Sequence, residues 1–579
     1  MFQRLDHRVC HYALLAGVWA VLCLPNLGAP GLWDIDEGNN TTCSLAMHES
    51  GNWVVPTFNN HLRFDKPALL YWLQLAAYRA FGVNEFAARF PSALAALVAL
   101  LATYELGRRA FRARVGLLAG VIAASTVGFC AAAHFANPDA VLNACTALTL
   151  LLFFCGYRRG GGWWSLATGV TTGLGVLAKG PVGLVLPSVV LVVFLVWERQ
   201  LRRLWDWRML GGVAAFLVVA APWYVWVSLE TKGHWLQEFL FTHNVGRFSS
   251  TMENHGGPLF YYVLLLLAGF LPWSIFLGLA GWDAMRQLGP MRSEDRCGGR
   301  RSFLRTVWGA CRPRRADSPR QSAVRFFVCW FGVYFVFFSL SGTKLPNYIL
   351  PLYPAAAVLT ARVLDRYGSG EVPLAPWVLR SGLVGLGLTG VGFAVGMLVV
   401  GGILPLGILR GRSLPGVEML AVAGVVPAAG AALGWGCLWR ERRADLLAVF
   451  AATAVLFTAA VAAWGPGLVD RSKAPRELVR FLPADQTYRE VRIATYGYFQ
   501  PSLVFYCRRE VAVLEGEQQV RDFLDGPLPS YLIVPAERWT ELRPKLGDRC
   551  HALGSKYDLY DGCDIVVVGN DGSAATAGE

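Results

Sequence analysis

Apolar runs of about 17–22 residues recur along the chain from Tyr12 to Ala463, separated by short charged connections. Each run is long enough to cross the hydrocarbon core of a bilayer as an α-helix. The pattern predicts about thirteen crossings, at residues 12–27, 86–104, 115–133, 139–156, 163–178, 181–197, 210–228, 259–279, 325–342, 347–364, 380–403, 417–438 and 445–464. Pro67–Phe81 is apolar but too short to span, and its Tyr71, Trp72, Tyr78 and Arg79 predict a helix lying along the membrane surface. Beyond Gly465 the pattern changes. Short β-type runs at 491–496, 511–514, 531–534 and 564–568 alternate with helical stretches near 518–524 and 536–546, which predicts a small α/β unit. The expected organisation is a mainly α membrane domain over residues 1–464, containing an outer loop at 28–85, and a tail domain over 465–579.

Composition supports this reading. Only 16% of the 579 residues are charged, against about 25% in a soluble domain, too few to coat a chain of this length with water-facing surface. The net charge of +13 suggests a nucleic-acid surface only until its distribution is examined. Arg108, Arg109, Arg112 and Arg114 lie in one connection, Arg158 and Arg159 in another, then Arg199, Arg202, Arg203 and Arg208, and finally Arg440, Arg442 and Arg443. Every second loop is basic, including the long arginine-rich stretch from about Asp283 to Arg325, which is the positive-inside signature. The excess is a topology signal, and no nucleic-acid partner is expected. It places the N-terminus in the cytoplasm and, with an odd number of spans, the tail outside. The opening Arg4, His7 and Arg8 before an apolar run resemble a signal peptide, but Pro25-Asn26-Leu27-Gly28 is a poor cleavage site, so a retained first span is expected. The cysteines show no metal-ligand spacing; Cys507, Cys550 and Cys563 in the tail are candidates for one disulfide.

Polar groups capable of chemistry gather at the outer ends of the spans. Asp34-Ile35-Asp36-Glu37 follows the first span, Lys66-Pro67 opens the interfacial helix, Pro138-Asp139 the fourth span and Lys179-Gly180-Pro181 the sixth. Thr343-Lys344-Leu345-Pro346-Asn347-Tyr348 opens the tenth. Three of these place a lysine just ahead of a proline at a helix start. Proline suits that position, and the free N–H groups and partial positive charge there favour an anion. Each lysine alone reads equally as a snorkelling anchor. Three in the same context, joined by Arg247 in the outer loop His243–Phe248, point to a phosphate. The acidic run is either a solvated turn or a general base acting near the membrane surface. Asp139 at a helix N-terminus is either a dipole partner or functional.

At these residues the chain resembles a known family. Asp36-Glu37, then Gly51-Asn52-Trp53-Val54-Val55-Pro56, then Asp65-Lys66-Pro67-Ala68-Leu69-Leu70-Tyr71-Trp72 are similar to the opening of bacterial aminoarabinose lipid A transferases and, more distantly, of protein O-mannosyltransferases. Pro138-Asp139, Ala178-Lys179-Gly180-Pro181, Arg247-Phe248 and the segment Thr343–Pro351 continue the likeness in order over roughly residues 10–365. The resemblance implies a GT-C type membrane glycosyltransferase in the bacterial cytoplasmic membrane, using a polyprenyl-phosphate sugar and a glycolipid, glycan or protein acceptor. It implies a catalytic or acceptor-site role for Asp36, with Glu37 beside it and Asp139 as a second acidic position. Lys66, Arg247, Lys344 and Tyr348 fall where the donor phosphate is held, with Lys179 as a further candidate. Asp34 competes with Asp36 for the carboxylate role. No obligatory cofactor is expected, although a divalent metal remains compatible with the site. The competing reading is a transporter or lipid flippase, which would place its polar groups near the bilayer midplane in paired halves; neither feature is present in the sequence.

Overall fold

The computed structural model describes residues 2–246, 248, 256–288, 318–404 and 413–570. The chain opens with α1 (Phe2–Cys23), α2 (Asp36–Ser50), α3 (Leu69–Phe81), α4 (Glu85–Ala110), α5 (Ala113–Ala124) and α6 (Val127–Ala133). It continues with α7 (Pro138–Arg159), α8 (Gly162–Lys179), α9 (Val182–Trp197) and α10 (Trp207–Glu230). Every predicted crossing falls on helical chain, but the crossings differ in kind.

Seven helices among the described residues are long and apolar enough to span a membrane: α4, α7, α10, Pro319–Leu340, Pro376–Val400, Val417–Trp439 and Arg443–Asp470. Two further pairs are bent, α5 with α6 by 68° and Tyr261–Gly269 with Trp273–Leu288 by 115°, which brings the number to nine if each pair counts as one. α9 and the apolar part of α1 are shorter. The count of thirteen is therefore not reached by length and composition alone. In α8 the reason is packing: Gly169, Thr171, Thr172, Gly173 and Gly175 are small or polar, and most are buried. A Cβ on Gly169 would collide with the Gly212 backbone of α10, so small residues here let two backbones approach.

The loop at 28–85 holds more structure than its sequence predicts. α2 lies within it and buries Asn40, Thr41, Thr42 and Ser44, a polar face without the apolar periodicity that announces a helix. The Ser44 hydroxyl donates to Gln74 Oε1 of α3 at 2.5 Å, and Gln74 Nε2 donates to the Ala88 carbonyl of α4 at 2.9 Å. α3 is accordingly a packed element with Leu70, Tyr71, Leu75 and Tyr78 buried, rather than one resting on the bilayer by a single face.

In the tail, β3 follows the short hairpin strands β1 (Thr57–Phe58) and β2 (His61–Leu62) of the 28–85 loop. β3 (Arg492–Tyr496), β4 (Val511–Leu514), β5 (Ser530–Pro535), β6 (His551–Asp558) and β7 (Cys563–Gly569) form one sheet in the order β4-β3-β5-β7-β6. β3 is parallel to β4 and β5, whereas β7 is antiparallel to β5 and β6. The four predicted strands and two predicted helices are present. β6, with its Gly554, Ser555 and Lys556, was not legible as a strand. Cys507, Cys550 and Cys563 are free thiols, so the disulfide expected among them is absent.

Candidate active site

The N-terminal end of α7 organises the site. Asn137 caps this helix, its side-chain oxygen accepting from the Asp139 N–H at 3.3 Å, and Pro138 occupies the first helical position. Asn137 Nδ2 in turn donates to Asp36 Oδ2 at 3.2 Å. One amide thus couples Asp36, an exposed carboxylate in the first turn of α2, to Asp139, which is buried. Asp139 Oδ1 pairs with Lys179 Nζ, and its Oδ2 accepts from Asn347 Nδ2 at 2.6 Å. The Lys179 ammonium lies 4.5 Å from the centre of the Tyr348 ring, within cation–π range.

Of these groups Asp139, Lys179 and Tyr348 belong to the polar end of a cavity of about 560 Å³, within the range of about 300–1,000 Å³ usual for ligand sites. Lys66, Asp65, Asp139, Lys179, His243 and Tyr348 line that end, and Asp65 faces His243 at 3.1 Å. The rest of the wall is apolar: Leu142, Val182, Val185, Phe239, Phe241, Val245, Phe248, Phe337 and Phe338. Val185, Phe241, Val245 and Phe248 are also exposed at the protein surface, so the apolar wall runs outward toward lipid. The segment Glu238–Gly246 is wound as a π-helix and delivers six of the lining residues, from Phe239 to Val245. Such windings are rare and concentrate at functional sites. Gly180 adopts φ +86° between Lys179 and Pro181, and a Cβ there would strike the Phe239 ring. Glycine is needed at that point both for the turn and for the close approach.

The structure therefore brings Lys66, Lys179, Asp139 and Tyr348 together, with Asp36 one residue away across Asn137. Arg247 lies outside the described residues. Glu37 and Lys344 are placed away from the cavity lining. Glu37 is 1% exposed and fully engaged: it takes Arg89 Nε at 2.9 Å, a second Arg89 nitrogen at 2.7 Å, Ala136 N at 2.6 Å and Trp33 N at 2.7 Å. It is a buried tie between α2, α4 and the chain ahead of α7. Lys344 is buried and does not line the cavity. Its Nζ donates to the Ser339 and Ser341 carbonyls at 2.9 and 2.7 Å, satisfying the end of helix Pro319–Leu340. It shapes the loop that carries Tyr348.

Asn137 and Asn347 were not singled out from the sequence. Asn137 has a readable signal, an Asn directly before Pro-Asp at a helix start. Asn347 sits within the Lys344–Tyr348 run but has no local signal for a bond to Asp139. Among the described residues no three His, Cys, Asp or Glu side chains gather as a metal site.

Asp34 belongs to a second structure, the seam with the tail. Ser502 donates to it through its N–H at 2.8 Å and its hydroxyl at 2.5 Å, and the Asp34 N–H donates to Tyr560 Oη at 2.9 Å. A Cβ on Gly38 would collide with Asp34 and with the Ser502 backbone, so glycine permits this close seam. Lys473, also from the tail, donates to the Gly31 carbonyl at 2.6 Å and to Asp470 at 2.8 Å. Burial pushes the Asp34 carboxyl up from 3.8 to about 7, against the opposing pull of the Ser502 donors and the Lys473 ammonium. A folded carboxyl that keeps its proton to higher pH makes the native state bind more protons than the unfolded one between those two values. Stability is therefore expected to fall as pH rises from 3.8 towards about 7 and to stay lowered above it. Thermal melting from pH 5 to 8 should show this slope, with Asp34→Asn flattening it; identical slopes in the two proteins would overturn the assignment.

Comparison with known proteins agrees with this geometry. The family described as dolichyl-phosphate-mannose-protein mannosyltransferase matches residues 65–226, which carry Lys66, Asp139 and Lys179. The undecaprenyl phosphate-α-4-amino-4-deoxy-L-arabinose arabinosyl transferase of Pseudomonas aeruginosa is 31% identical over 391 residues, covering 66% of this chain and 64% of that protein. The chain is thus similar to aminoarabinose transferases and, over residues 65–226, to the mannosyltransferase family. Its relative of the same description in Erwinia tasmaniensis is 30% identical over 361 residues, covering 60% of this chain and 59% of that protein. The chain thus spans about three-fifths of the length of these curated relatives. The crystal structure of ArnT from Cupriavidus metallidurans bound to undecaprenyl phosphate superposes with a TM-score of 0.79 over 98% of both chains at 24% identity, which establishes the shared GT-C fold. With seven to nine such apolar helices or helix pairs among the described residues, this chain is a multi-pass membrane protein.

Proposed function

We propose that the protein is a glycosyltransferase that moves a sugar from a polyprenyl-phosphate donor to an acceptor at the outer face of the bacterial cytoplasmic membrane, with its N-terminus in the cytoplasm. The observation that carries this reading is the cavity itself, a lysine- and tyrosine-lined head continuous with an apolar wall that opens toward lipid. That is the shape of a ligand with an anionic head and a long hydrocarbon tail. The relatives, described as undecaprenyl phosphate-α-4-amino-4-deoxy-L-arabinose arabinosyl transferases, support the same donor class. A pentosyl donor of that type is the first to test, and a lipid A-like glycolipid, a glycan or a protein is the acceptor.

The chemistry follows from the charges. As the glycosidic bond breaks, negative charge grows on the lipid phosphate that departs. Lys66, Lys179 and the Tyr348 hydroxyl are fixed where that charge develops, and a dry, preorganised setting makes such groups most effective. A monophosphate leaving group served in this way needs no obligatory metal. Asp139 orients Lys179 through their ion pair, and Asn347 orients Asp139. Asp36 faces the acceptor side, where it takes the proton of an attacking hydroxyl. With an ionised phosphate as acceptor, Asp36 would only orient groups.

A single displacement of this kind inverts the anomeric centre. Purified protein supplied with radiolabelled polyprenyl-phosphate sugars is expected to release lipid phosphate together with sugar transfer, and NMR of the product should show the opposite anomer to the donor. Retention would exclude single displacement. Donor translocation across vesicles without sugar transfer would favour the flippase reading instead.

A further inference from the structure

We propose that the protein holds an anionic phospholipid in a second cavity at the membrane face opposite the candidate active site. α7, α8, α9 and α10 enclose a cavity of about 570 Å³ at the other ends of the helices that build that site. Its position follows from the helices: the lining includes the last turn of α7, the first turns of α8 and α10, and Leu191 and Leu195 near the end of α9. Asp139, Lys179 and Val182 stand at the opposite ends of α7, α8 and α9.

The cavity is divided by chemistry. Its mouth carries Arg158, Arg159, Arg203 and Arg208 against one carboxylate, Asp206. That carboxylate is occupied in capping α10, where its Oδ1 accepts from the Arg208 N–H at 3.1 Å. The arginines find uncharged partners: Arg158 donates to the Arg109 carbonyl at 3.1 Å, and Arg203 donates to the Tyr157 carbonyl at 2.8 Å while lying 4.5 Å over the Tyr157 ring. Nearby Glu198 is committed to Arg325 at 3.1 Å. The mouth is thus strongly positive. The interior is mainly apolar, walled by Phe153, Leu184, Leu191, Leu195 and Phe216, and the Thr168 and Thr172 hydroxyls among them are turned to helix carbonyls at 2.7 and 2.8 Å.

A cationic mouth over a hydrocarbon-lined slot matches one phosphodiester headgroup with an acyl chain behind it. Basic pockets between membrane helices on the positively charged side recognise anionic lipid heads in this way. A free phosphate would use the mouth and leave the slot empty; a zwitterionic lipid would bring its own cation into the arginine cluster. The occupant favoured by both halves of the cavity is an anionic phospholipid of the arginine-rich leaflet.

The test is native mass spectrometry of the full-length protein, titrated with phosphatidylglycerol, with phosphatidylcholine and with inorganic phosphate. The expected result is one tightly retained phosphatidylglycerol per chain, little retained phosphatidylcholine, and no displacement by inorganic phosphate. Arg158→Gln combined with Arg159→Gln is expected to weaken retention by about ten-fold or more. Ser188→Trp, which fills the slot and leaves every arginine in place, is expected to cause a comparable loss while melting in phosphatidylcholine stays unchanged. The surface arginine variant keeps the test decisive if the tryptophan variant misfolds. Equal retention of the two lipids, competition by inorganic phosphate, or wild-type retention in either folded variant would overturn the proposal.

Discussion

Asp36→Asn is expected to abolish sugar transfer to a hydroxyl acceptor, lowering turnover by about 10²–10⁴-fold, the usual contribution of a positioned general base. The expectation rests on elimination by geometry. Of the three clustered carboxylates, Glu37 is saturated by Arg89 and two backbone N–H groups, and Asp34 is taken by Ser502. Asp36 alone is exposed, holds a single long bond from Asn137, and stands beside the helix end that carries Asp139. The substitution keeps size and shape, so the Asn137 contact survives in altered form and donor binding should be retained. Turnover should be measured in the donor-saturated protein, where a near-normal rate with a hydroxyl acceptor would refute the base role. A small loss confined to a phosphate acceptor would instead identify that acceptor, because an ionised phosphate has no proton to give up.

The largest stability effect is expected at the pair that positions this carboxylate. Glu37 and Arg89 are each 1% exposed and meet at 2.7 Å. Arg89 also reaches the carbonyls of Leu27, Pro30 and Gly31 at 2.8–3.0 Å, so one guanidinium fastens the chain between α1 and α2 to the membrane domain. Glu37→Ala strands a buried cation and removes the acceptor for the Trp33 and Ala136 N–H groups. The cost of breaking a buried pair is about 3–5 kcal/mol, read as a fall in melting temperature in detergent. Glu37→Leu with Arg89→Met should recover part of that stability, since an apolar pair of similar volume avoids the desolvation cost. It should not recover activity, because the three carbonyls lose their donor and Asp36 loses its fixed position. Equal melting of Glu37→Ala and the unsubstituted protein would show that the pair contributes nothing.

The two carboxylates illustrate what local sequence can and cannot convey. Asp36 and Glu37 are neighbours of the same charge, and nothing in the run Asp34-Ile35-Asp36-Glu37 says that one faces solvent while the other meets an arginine 52 positions away. Lys344 and Lys179 share the lysine-then-proline context, yet one caps carbonyls and the other pairs with Asp139 at the cavity. Side-chain direction relative to a helix end separates them, and that direction is set by the elements packed around each turn. α2 was illegible for a related reason: on its buried face Asn40, Thr42 and Ser44 meet partners from the chain ahead of α7, the tail and α3.

By itself, the sequence determined the membrane class, the helical character of the predicted crossings, the strands β3, β4, β5 and β7, and the lysine- and proline-marked helix starts. Those features depend on length, periodicity and local backbone chemistry, which act over a few residues. Only the tertiary structure decided how many helices are straight enough to span, which carboxylate remains available, which lysines reach the cavity, and how Ser502 and Lys473 of the tail clasp the loop ahead of α2. These are outcomes of burial and of long-range pairing, in which the free energy of each polar group depends on the partners that the rest of the fold brings to it.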